Sequence, residues 1–146
     1  MSFFSDFPAF QPDPDAPITA EFKRLAIQRQ WKQGSKTWRK RWNRFIGMEY
    51  DRIIGNNLRG LDDWRELCAE LDLPGPFASI RQCKKALSKV HVNIVDLLEC
   101  RQLGCKPRKF PSQKALTTYT RKSGKFFGKS IAKQDKLLKV LLRRLL

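Results

Sequence analysis

Few residues of this chain are placed for covalent chemistry. The nearest approach to a phosphate-binding loop is Gly124-Lys-Phe-Phe-Gly128-Lys129-Ser130. Such a loop needs four residues between the first glycine and the Gly-Lys-Ser/Thr, so that successive backbone N–H groups wrap the phosphates. Here three intervene, two of them Phe, and no buried strand precedes them. Nucleotide hydrolysis is not expected. The one histidine, His91, falls inside a helical pattern beside Val90 and Val92, where a structural or solvent-facing role is expected. Asp96 and Glu99 stand one helical turn apart, but no pair of carboxylates falls in a cleft-like context suited to acid–base work. Structural zinc usually takes two close cysteine pairs. Of Cys68, Cys83, Cys100 and Cys105, only the last two are close. Cys68 and Cys83 fall on apolar helix faces, where a thiol behaves as a small hydrophobe. The reading is therefore not an enzyme, with no catalytic residue, no metal and no cofactor.

Charge is the stronger signal. Thirty basic residues stand against fourteen acidic ones, net +16. Self-repulsion on that scale opposes folding and is relieved by a polyanion. The charge is uneven: −3 over residues 1–20, +8 over 21–60, −2 over 61–99 and +13 over 100–146. A binding site is sought in the two basic blocks. Nucleic acid, DNA or RNA, is the expected partner, held through its phosphates. The alternatives are an acidic protein, an anionic membrane surface, or charge that serves solubility alone.

Three elements carry that expectation. In Trp31 to Phe45 the aromatics share one helical side, which makes Trp38, Trp42 and Phe45 core rather than base-stacking platforms. The basic residues Lys36, Arg39, Lys40, Arg41 and Arg44 are then left for solvent and phosphates. The second element is Trp64–Leu71, a turn, then Ser79–Val90, with Arg81, Lys84, Lys85 and Ser88 opposite Cys83, Leu87 and Val90. That is the outline of a helix-turn-helix, although residues 72–78 exceed its usual short turn. The third is the tail, where Lys106, Arg108, Lys109, Lys114, Arg121, Lys122, Lys125, Lys129 and Lys133 are spread along loops and short helices. Such segments bind phosphates without reading sequence and serve as nuclear import signals. The expected location is the nucleus, with the cytoplasm as the alternative.

The elements that must position these residues are helical. Pro8, Pro12, Pro14 and Pro17 keep residues 1–18 an extended arm. Its second half is expected to pack across the helices through the phenylalanines, with the first few residues loose. Thr19 is a candidate cap for a helix to about Trp31, and Ser35 for one to Ile54, with Trp38, Trp42, Phe45, Ile46, Glu49 and Ile53 inward and Arg52 among the outward bases. Asp62 caps a short helix bearing Trp64, Leu67, Cys68 and Leu71. Ser79 opens the longest apolar pattern, Ile80 through Leu98, read as one helix to about Gln102. Ser112 caps a short helix to about Thr120, residues 123–130 read as linker, and a last helix runs from about Ile131. Its face of Leu138, Leu141, Leu142 and Leu145 could grip a protein or the chain's own core, with its bases opposite. That face supports the alternative function, a helical protein–protein interaction adaptor.

At 146 residues the chain is the size of one domain. The N-terminus lacks the basic and apolar regions of a secretory signal, and no apolar run reaches a membrane span, so reduced thiols and no membrane partner are expected. The expected fold is all-α: a non-bundle domain of about five helices over residues 19–102, preceded by the arm 1–18 and followed by a basic extension 103–146. Glu21-Phe-Lys-Arg-Leu-Ala26, Trp38-Arg-Lys-Arg-Trp42, Glu49-Tyr-Asp-Arg52, Trp64-Arg-Glu-Leu-Cys68, Ile80-Arg-Gln-Cys-Lys-Lys-Ala-Leu87 and Val92-Asn-Ile-Val-Asp96 together resemble a group of small uncharacterised fungal proteins. The resemblance covers residues 10–96 and leaves out the basic tail. It implies a eukaryotic intracellular origin and residues 10–102 as the folded unit. The group has no established activity, so it assigns no site residue.

Overall fold

The prolines of the N-terminal arm stop where the first α-helix begins. The computed structural model describes residues 2–127. The expected terminal helix, with Leu138, Leu141, Leu142 and Leu145, and the bases Lys129 and Lys133 lie outside the described residues. Among the described residues the protein is all-α. A 3-10 turn, Phe3–Asp6, is followed by α1 (Ile18–Gln28), α2 (Lys36–Ile53), a second 3-10 turn (Gly55–Asn57), α3 (Leu61–Glu70), α4 (Ile80–Leu87), α5 (Ile94–Leu103) and α6 (Gln113–Ser123). No strand forms among them; one isolated antiparallel bridge joins Val92 and Lys109.

Caps set most boundaries. The hydroxyls of Ser35, Ser79 and Ser112 accept the N–H groups of Trp38, Gln82 and Ala115, each satisfying a donor the first turn leaves free. Two expected caps move. Thr19 lies inside α1, and both its N–H and its hydroxyl donate to Glu99 of α5 instead. The cap of α3 is Gly60, with the Asp63 carboxylate reaching back to the N–H groups of Gly60 and Arg59 at 3.1 and 3.0 Å. Helix α1 ends before Trp31, because Gln30 turns to a positive φ of 60° and the Trp31 N–H closes on the Ala26 carbonyl at 2.9 Å. Gly124, at φ 72°, ends α6 three residues later than expected.

The long helix expected from Ser79 to Gln102 is two helices. A continuous helix would turn Val92 toward the polar side. The break at residues 88–93 instead buries Val92, at 1% exposure, beside Val95. Asn93 makes the break specific. Its Oδ1 accepts the Asp96 N–H at 3.1 Å and caps α5, while its Nδ2 donates to the Thr120 hydroxyl at 3.2 Å and the Lys125 carbonyl at 3.0 Å. His91 therefore lies in the connection rather than in a helix, and its carbonyl accepts the Phe110 N–H at 2.8 Å.

The first residues of the arm, expected to be loose, pack in the core. Phe3, Phe7 and Phe10 are buried in the main core, with Phe3 only 1% exposed. Residues 11–15 lie on the surface and are held by polar contacts. The Asp13 N–H donates to Glu21 at 2.7 Å, Arg24 to the Gln11 carbonyl at 2.5 Å, and Gln102 to the Pro14 carbonyl at 3.0 Å. Glu21 is buried, and the hydrogen bond from Arg24 holds its carboxyl below the usual range against the opposing effect of burial. Prolines deny the arm a helix, so its phenylalanines reach the core from irregular backbone.

Phe3 is then a core residue rather than a fraying end. Phe3→Ala is expected to lower unfolding free energy by about 3 kcal/mol, read from the urea midpoint. A change within experimental error would show that the arm contributes no core.

Candidate nucleic-acid interface

Helix α2 sorts its residues by chemistry. Trp42, Phe45, Ile46, Glu49 and Tyr50 are buried, and Trp38 stacks on Trp42 with ring centroids 5.8 Å apart. The Trp42 indole N–H donates to the Phe126 carbonyl at 2.9 Å. Trp42 and Phe45 are thus core residues, and Trp38 is half-buried against them. On the outer side Lys36, Arg39 and Lys40 are exposed and make no ion pair among the described residues. Lys36, Lys40 and Arg44 repeat every four residues and so rise along one line, about 6 Å per step.

The other α2 cations are partly engaged. The Arg41 guanidinium lies over the Trp31 ring at 5.5 Å, and Arg44 reaches Asp6 of the arm at 3.3 Å, both partners being half exposed. A surface pair of this kind is weak and exchangeable. Arg52 is exposed as expected, and its guanidinium also reaches the buried Glu49 at 2.5 Å and so satisfies a core carboxylate.

Helices α3 and α4 pack as a hairpin. Arg81 and Lys85 are exposed on α4, whereas Lys84 lies over the Trp64 ring at 5.2 Å. The connection, residues 71–79, is held by Arg65 donating to the Phe77 carbonyl at 2.7 Å and by the Ala78 N–H donating to Gln82 at 2.7 Å. It forms a folded loop rather than a tight turn, and α4 is two turns long.

The basic loop after α5 is pinned. Lys106 pairs with Asp72, and the Lys109 ammonium donates to the Leu71 carbonyl at 2.8 Å, just past the C-terminal end of α3, where a cation is favoured. Arg108 lies over Phe110 at 4.7 Å. Beyond it the loop and α6 enclose an open groove of about 570 Å³, walled by Arg108, Lys114 and Lys122 over Phe110 and Tyr119. No carboxylate lines it. In the sequence Lys114 is one base among many in the tail. The groove that gathers it with Arg108 and Lys122 rests on Phe110, buried against the Tyr119 ring with centroids 4.8 Å apart and tied through its N–H to the His91 carbonyl. Arg121 is exposed on α6.

Lys125 does not join this surface. Its ammonium meets Asp96 at 2.6 Å and the Tyr119 hydroxyl at 3.2 Å, and only a quarter of the side chain is exposed. Burial alone would lower its pKa, but the hydrogen bonds to Asp96 and Tyr119 prevail and raise it. Burial and then the bond to Asp96 push the Tyr119 hydroxyl up as well. The triad fastens the end of α6 to α5. Of the P-loop-like segment, Gly124 caps α6 and Phe127 packs on the core, while residues 128–130 lie outside the described residues.

The cysteines form two pairs, all four free. Cys68 and Cys83 are buried between α3 and α4, with the Cys68 thiol 3.9 Å from the Cys83 carbonyl. Burial pushes the Cys68 thiol up to about 12. No group of three or more His, Cys, Asp or Glu that could hold a metal occurs among the described residues.

Two classes of cation thus respond differently to removal. Lys125→Met is expected to lower stability by about 2 kcal/mol at neutral pH, below the cost of breaking a fully buried pair because Lys125 keeps some solvent. A raised folded pKa gives stability that is complete below the ordinary lysine value of about 10.4 and is lost as pH rises beyond it. The gap between native protein and Lys125→Met, followed by urea unfolding, should therefore narrow above that pH. No protein-family model, no curated protein and no solved structure matches the chain.

Proposed function

We propose that the protein is a non-enzymatic nucleic-acid-binding protein that holds phosphates through the α2 row and the groove beside α6. One observation carries the reading. Lys36, Arg39 and Lys40 project from a helix whose opposite face is fixed in the core, and no acidic side chain neutralises them among the described residues. A row of fixed, uncompensated cations concentrates polyanions and releases their counterions on contact. The groove of Arg108, Lys114 and Lys122 adds a second uncompensated site. Exposed Arg81 and Lys85 on α4 extend the basic surface, but a long connection and a short helix favour backbone contact over groove insertion. A nuclear location accompanies this reading. The adaptor alternative rests on Leu138, Leu141, Leu142 and Leu145, outside the described residues.

The test is binding to labelled duplex DNA, single-stranded DNA and RNA across a salt series. The proposal expects affinity to fall steeply with salt on every sequence. Lys36→Glu, Arg39→Glu and Lys40→Glu together should reduce the slope of log K against log salt by about 2–3, since each phosphate contact to duplex contributes about 0.9. The triple variant should unfold at nearly the native temperature, because none of the three side chains packs in the core. Failure of the native protein to bind at low salt would end the proposal.

A further inference from the structure

Cys100 and Cys105 are brought together by the way α5 ends. Gly104 takes a left-handed φ of 77°, and the Cys100 carbonyl accepts both the Gly104 N–H at 2.8 Å and the Cys105 N–H at 3.0 Å. This is the double closure of a helix C-terminus on glycine. Covalent geometry across the second bond keeps the two Cα atoms under about 7 Å apart, within the reach of a disulfide. Cys105 is exposed and Cys100 half-buried, unlike Cys68 and Cys83, which are closed off in the core.

We propose that Cys100 and Cys105 are a peroxide-sensitive dithiol that closes reversibly to an intramolecular disulfide at the root of the basic loop. Cys105 is the attacking group because it is the more exposed of the two. Its thiolate sulfur attacks one peroxide oxygen, the O–O bond breaks, and hydroxide leaves, giving a sulfenic acid. The Cys100 sulfur then attacks the sulfenic sulfur, the S–O bond breaks, and the hydroxyl leaves as water with the Cys100 proton. Two thiols lose two electrons to one hydrogen peroxide, which becomes two waters. Burial first, and the interaction with Cys105 second, push the Cys100 thiol up to about 12, which disfavours it as the first attacking group. The bond would fix Cys105 directly before Lys106, whose pairing with Asp72 starts the pinned loop. The proposal holds whatever the basic surface binds.

The experiment treats the full chain, as reduced protein, with hydrogen peroxide and follows intact mass and non-reduced tryptic peptides. Trypsin cuts after Arg101, between the two cysteines, so the expected product joins peptides 90–101 and 102–108, with the mass of two hydrogens lost and restored by dithiothreitol. Cys68 and Cys83 should stay reduced. In Cys100→Ala the sulfenic acid on Cys105 should persist and be trapped by dimedone. Cys105→Ala should leave Cys100 reduced. Formation of only sulfinic acid, only intermolecular dimers, or a bridge to Cys68 or Cys83 would overturn the proposal.

Discussion

The enclosure of Phe22 is the constraint on which the rest of the structure depends. Its ring is fully buried and contacts those of Phe3, Trp31, Trp38, Trp42 and Phe45. Those partners come from the arm, the α1–α2 connection and α2, so one side chain of α1 gathers three separate segments. Edge-to-face and offset contacts between rings add specificity to the burial of large apolar surface. Once Trp38, Trp42 and Phe45 turn inward to meet Phe22, the register of α2 is set. Lys36, Lys40 and Arg44 then have no orientation left but outward.

A chain of net charge +16 needs such an interior, because like charges spread over the surface oppose compaction. The few acids are placed where they answer specific needs. Glu21 holds the arm and Arg24, Glu49 takes Arg52, Asp96 takes Lys125, and Asp72 takes Lys106. With these acids engaged elsewhere, Lys36, Arg39, Lys40 and the α6 groove have no acidic partner among the described residues. The separation between structural cations and free cations follows from this allocation, and it divides Lys125 and Arg52 from Lys36 and Lys40.

Asn93 shows how a single buried amide redirects an apolar pattern. Periodicity alone reads Ile80 to Leu98 as one stripe. A continuous helix would leave the Asn93 side chain without its partners on α6 and would expose Val92. Capping α5 while bonding the Thr120 hydroxyl and the Lys125 carbonyl satisfies both polar ends of the amide, and unsatisfied buried amides are costly. Those partners lie 27 and 32 residues away, beyond the reach of any local reading.

The sequence by itself determined the helical class, the serine caps of α2, α4 and α6, and the inward face of α2. Each is a property of neighbouring residues: a hydroxyl beside a first turn, or apolar groups one turn apart. Which cations remain free was decided only by the tertiary structure. Lys125 reads as a surface base, yet the largely covered Asp96 carboxylate stands opposite it. Lys114 reads as one base among many, yet Phe110 and Tyr119 set it in a groove. The first few residues of the arm read as loose, yet Phe3 fills the core. For Lys125 and Phe3 the partner comes from another segment. Burial and charge pairing act between segments, and the distance between them is set by folding, not by spacing along the chain.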